Sequence, residues 1–192
     1  MMLRLGRRGA LRLVLVLTLV TLMTWSSSKH APAATPVPEI KADWTSINFR
    51  LGTWRCVGQV TGRPGDRLVT SVSRMSLDGH WMLTNSSSPP FDKARSKNAD
   101  DDTYLGYDAK AQLWMAFRFG NFGDYRWSTS PGWRSDTMLS TNYVLNEGKP
   151  VIVGHDTLTK LSDTQTREVS ADLRSGVWVE TATQTCNKMK AK

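Results

Sequence analysis

Cysteine and histidine are scarce in this 192-residue chain: two Cys and three His. No His/Cys/carboxylate cluster has the spacing of a zinc site. There is no Gly-x-Ser-x-Gly elbow and no phosphate-binding glycine loop. Asn98, Asp100 and Asp102 alternate as the first calcium ligands of an EF-hand loop would. Thr103 stands where that loop requires Gly, however, and Ala109 where it requires Glu, so the segment reads as a solvated acidic loop. Long apolar runs are missing too. The longest, Leu13 to Trp25, is too short to cross a bilayer core as a helix, which takes roughly 20 residues.

That run follows Arg4, Arg7, Arg8 and Arg12 and precedes Ala31-Pro32-Ala33. A basic, then apolar, then small-residue order is that of a secretory signal peptide, expected over residues 1–33 with cleavage after Ala33. An uncleaved anchor is the alternative. The first 33 residues hold five basic side chains and no acid. The rest carries 20 basic against 17 acidic residues, a net of +3, scattered without blocks. The high overall charge therefore belongs to targeting, and no nucleic-acid partner is expected. After cleavage no stable membrane insertion is expected either, and the product should reach the periplasm or the medium.

About 160 residues remain, enough for one domain with a sizeable core. Residues 34–48 read as a linker with a short helix, on which Trp44 and Ile47 would share a face. From Phe49 onward, short β-prone runs alternate with turn residues every 10 to 12 positions. Ten strands are expected: Arg50–Thr61, Arg67–Leu77, His80–Asn85, Thr103–Tyr107, Gln112–Phe119, Asp124–Thr129, Thr137–Leu145, Val151–Leu161, Thr166–Leu173 and Val177–Cys186. Most gaps are of hairpin length, so neighbours in sequence should pair antiparallel. The one long break, Ser86–Asp102, contains Pro89-Pro90 and is expected as a surface loop.

Ten hairpin-linked strands leave two open sheet edges unless the sheet closes on itself. An all-β, roughly ten-stranded up-and-down barrel over residues 49–187 is therefore preferred over a sandwich, with residues 188–192 as a tail. In such a barrel the first and last strands pair. Cys56 and Cys186 lie on those strands, and in an oxidising compartment they read as one disulfide.

Leu51-Gly52-Thr53-Trp54-Arg55-Cys56 resembles the Gly-x-Trp signature of calycin barrels such as lipocalins. With Tyr104-Leu105-Gly106-Tyr107-Asp108, Phe122-Gly123-Asp124-Tyr125 and Ser130-Pro131-Gly132-Trp133, the chain resembles a family of uncharacterised exported bacterial proteins with a lipocalin-like or nitrobindin-like barrel. The resemblance covers roughly Trp44 to Cys186 and implies fold and compartment, not an activity. Nitrobindin binds haem through a His near its C-terminal strand. No His follows His155 here, so no cofactor is carried over.

The richest feature is aromatic. Alternation puts Trp114, Ala116 and Arg118 on one face of their strand and Phe117 and Phe119 on the other; Tyr125 and Trp127 share a face of the next. Trp54, Trp114, Phe117, Arg118, Tyr125, Trp127, Trp133 and His155 are the candidate ligand-binding residues, with Arg118 holding an anionic end. His155 and Asp156 point to opposite faces and form no simple acid–base couple. Three functions stay open. The first is a non-catalytic barrel binding a small apolar or amphipathic molecule. The second is a packed structural or envelope-interaction domain. The third is a small-barrel enzyme using Arg118, Tyr125 or His155. The first is preferred, because no converging acid and base appears. Interior volume would separate it from the second.

Overall fold

Turn residues that accept positive φ recur between the β-prone runs: Gly62, Gly79, Gly123, Gly148 and Gly176 all adopt it. Each ends one strand and reverses the chain into the next. The computed structural model describes residues 42–90 and 96–190. The expected signal segment and the first part of the linker lie outside these. The strands are β1 (Gly52–Val60), β2 (Arg67–Ser76), β3 (Trp81–Ser88), β4 (Ala99–Asp108), β5 (Leu113–Gly120), β6 (Tyr125–Ser130), β7 (Trp133–Arg134), β8 (Thr137–Asn146), β9 (Lys149–Ser162), β10 (Gln165–Arg174) and β11 (Val177–Lys188).

They form one antiparallel sheet in the order β6-β5-β4-β3-β2-β1-β11-β10-β9-β8-β7, and β6 also pairs with β8. That pairing, through Trp127–Tyr143, Ser128–Asn142 and Thr129–Thr141, closes ten strands into a barrel. First and last strands pair as expected, with Cys56 directly opposite Cys186. The two are joined by a disulfide across a separation of 130 residues. Gly58 keeps this seam tight: a Cβ there would collide with the Thr183 carbonyl oxygen and with Gln184.

Three local expectations differ from the structure. β3 runs on through Ser88 and β4 begins at Ala99, so both ends of the expected Ser86–Asp102 loop are strand. Ser86, Ser87 and Ser88 have low strand propensity, but the ladder pairs them with Asp101, Asp100 and Ala99. The region read as a short helix instead shows turns from Thr45 to Ile47 and then a 3-10 turn over Asn48–Arg50. Lys188, expected in the tail, ends β11. Its Nζ donates to the Phe49 carbonyl at 2.9 Å and lies over the Trp54 ring at 5.7 Å.

The segment before β1 plugs one end of the barrel. Ile47 is fully buried against Met82, Leu105, Trp114 and Met138. Trp44 packs edge-on to Trp114 at 5.1 Å, and Trp54 Nε1 donates to the Arg50 carbonyl at 2.8 Å. The outer face carries exposed apolar side chains such as Val57, Leu68 and Val72, alternating with the inward positions. Among the described residues, no helix is long and apolar enough to cross a membrane.

Candidate binding cavity

Period-two alternation sends every second residue of each strand inward. At the plugged end these residues are Trp54, Val69, Met82, Leu105, Trp114 and Met138, an apolar floor. Toward the other end the inward positions turn polar. Arg67 opens β2, Asp101 lies near the start of β4, Arg118 near the end of β5 and Arg126 near the start of β6. Because neighbouring strands run antiparallel, these positions share one level and form a charged ring. Between floor and ring lies a cavity of about 260 Å³. Its wall holds four guanidinium groups (Arg50, Arg67, Arg118, Arg126) and three carboxylates (Asp101, Asp156, Glu168).

Arg118 Nη2 forms a 2.8 Å ion pair with Asp101 Oδ2. Arg126 Nη2 is 3.8 Å from Asp156 Oδ2, which also accepts from Asn142 Nδ2 at 2.9 Å. Gln184 Nε2 donates to Glu168 Oε2 at 2.6 Å. Among the described residues neither Arg50 nor Arg67 makes a carboxylate ion pair. Burial lowers the pKa of Arg67, and the nearby Arg118 adds to it. Burial lowers that of Arg50 as well, against the attraction of Glu168. Glu168 is raised above the ordinary carboxyl range, by burial first and then by Asp156. The wall holds one more guanidinium than carboxylate. The cavity is therefore electropositive, and it is apolar at its floor.

Of the candidates read from sequence, Trp54, Trp114 and Arg118 meet around this cavity. Phe117, on the opposite strand face from Arg118, packs outside near Trp81, with ring centroids 6.2 Å apart. Tyr125 is exposed on the outer face. Trp127 touches the cavity wall from that face, its ring stacked on Tyr143 at 5.7 Å. Trp133, on β7, lies against Phe49 at 5.7 Å by the plug. His155 lies 4.2 Å from the Trp178 ring and does not line the cavity, whereas its neighbour Asp156 does.

Sequence reasoning missed Arg50, Arg67, Asp101, Asn142, Glu168 and Gln184. A signal existed: the faces carrying Arg126, Ser128 and Ser130 on β6, and Ser140 and Asn142 on β8, are polar. Aromatic bulk on the other face drew the reading outward.

No family model matches the chain, and no curated protein matches it. Among solved structures, the chain is similar to Rv2717c from M. tuberculosis. The TM-score is 0.55 at 11% identity, covering 79% of this chain and all of that one. At that identity the likeness shows the fold alone, and it fits the closed antiparallel barrel described above.

Proposed function

We propose that this is an exported, non-catalytic binding protein that holds a small amphipathic anion inside the barrel. The observation that carries the reading is the cavity itself: four guanidiniums against three carboxylates above an apolar floor. The ligand's apolar part would lie toward Trp54 and Trp114, and its acid group among Arg67, Arg118 and Arg126. Charge-assisted hydrogen bonds to guanidinium contribute about 1.5–3 kcal/mol each, and buried apolar surface about 25 cal/mol per Å², enough together for micromolar binding.

The non-catalytic part rests on the pairing of the acids. Each carboxylate already accepts from Arg118, Asn142 or Gln184, and among the described residues no histidine lines the cavity. Export rests on the N-terminal pattern and the disulfide. Membership of the calycin-like exported family rests on the Gly52-Thr53-Trp54 opening, whose Trp54 is buried at the plugged end. A ligand-free structural domain is the second reading, favoured by a cavity smaller than most drug-sized sites.

Tryptophan emission tests the proposal, since Trp54 and Trp114 line the cavity. Titration with medium-chain carboxylates should give a saturable change that alcohols of equal length do not give, and that Arg126→Gln abolishes. No response to any acid would leave the structural domain as the better account.

A further inference from the structure

Beside the charged ring the cavity wall carries hydroxyls. Ser71, Ser86, Thr103, Ser128 and Ser140 all line it, and each is half-buried and so keeps accessible surface. Alternation turns them inward, since strand neighbours such as Val72, Asp102 and Leu139 are exposed on the outer face. The ladders set them against the ring. Thr103 is directly opposite Arg118, Ser86 is opposite Asp101 and Ser71, and Ser140 is opposite Asp156. Ser128 is the next inward position after Arg126 on β6. Other interior hydroxyls are already taken: Ser73 Oγ and Thr84 Oγ1 lie 2.8 Å apart, and Ser130 Oγ accepts from the Gly132 amide at 3.1 Å. Among the described residues the five have no such partner.

We infer that the ligand is a polyhydroxylated acid of monosaccharide size, of the sugar-acid class, and not a fatty acid. This deepens the anion-binding reading and rests on it. An alkyl chain filling the cavity would take the five hydroxyls out of water and give them nothing in exchange, and each unmade hydrogen bond weakens binding. A ligand bearing several hydroxyls repays them, because a hydroxyl both donates and accepts and each pair can settle its own direction. The acid group lies among the guanidiniums of the ring, and the C–H face of the sugar lies toward the Trp54 and Trp114 floor. Size fits: an apolar cavity of about 150 Å³ takes benzene, so about 260 Å³ accommodates one six-membered ring with its substituents.

The test is calorimetric titration of the protein with three probes built on one six-membered ring: glucuronate, which has acid and hydroxyls; cyclohexanecarboxylate, which has the acid alone; and glucose, which has the hydroxyls alone. The expected result is that glucuronate binds at least tenfold tighter than either of the others. Replacing Ser128 and Ser140 together by Ala, which keeps the strand and removes two of the hydroxyls, should bring glucuronate to within about threefold of cyclohexanecarboxylate. Should that variant not fold, the series on the unaltered protein decides alone. Cyclohexanecarboxylate binding as tightly as glucuronate would overturn the inference and leave the anion reading intact. Glucose binding as tightly as glucuronate, or no binding of either acid, would overturn both.

Discussion

Arg118 and Arg126 stand directly opposite each other across the β5–β6 ladder, both on the inward face. Like charges at such a position repel. The fold offsets this by giving each its own carboxylate from another strand, Asp101 on β4 and Asp156 on β9. The two pairs differ. Arg118 meets Asp101 at 2.8 Å and is largely shielded, whereas Arg126 lies 3.8 Å from Asp156 and is more open to solvent. Arg118→Gln should therefore cost about 2 kcal/mol of folding stability by stranding Asp101, and Arg126→Gln less than about 1 kcal/mol. Urea midpoints of both variants check the order; equal losses would mean the pairs do not differ as their distances imply.

Reduction should strip a large share of stability. The Cys56–Cys186 bridge closes a loop spanning 130 residues, worth about 4–5 kcal/mol in the chain-entropy model. Thermal melts with and without reductant, and of Cys56→Ser with Cys186→Ser, should show the same drop. An unchanged melting temperature would mean the seam holds without the bridge.

The plug should prove part of the fold and not an appendage. Ile47 has no exposed surface and packs on residues of four different strands. Ile47→Ala should cost about 2–4 kcal/mol. A loss under about 0.5 kcal/mol in denaturant titration would show that the segment detaches freely.

Glu168 predicts a pH dependence whose sign is unusual for a carboxyl. Its pKa is raised in the folded state by burial and by Asp156, against Gln184, Arg50 and Arg126. The folded protein then holds this proton where the unfolded chain has released it. Its contribution is complete below the ordinary carboxyl range and is lost as pH rises through the raised value. Glu168→Gln should keep the Gln184 contact without titrating, so its stability should gain on the unaltered protein as pH climbs through that window. Parallel stability curves across pH would sink the assignment.

Strand positions were largely legible because they follow from local chemistry. β-Prone runs end at residues that accept turn geometry, and hairpin-length gaps force antiparallel neighbours. Closure was legible from Cys56 and Cys186, whose placement on the first and last strands agrees with the β1–β11 pairing. β7 escaped notice, since two residues of ladder leave no periodicity. Alternation also separated His155 from Asp156 and Phe117 from Arg118. It could not say which of each pair faces inward, because a period of two is the same seen from either side of the sheet. Tertiary structure decided that. The aromatics of β5 and β6 beyond Trp114 went outside, and the Ser-, Arg- and Asp-bearing face went in. The charged ring is workable only as a whole: Arg67, Asp101, Arg118, Arg126, Asp156 and Glu168 come from six strands, and each is tolerable inside only when closure brings the others within electrostatic reach.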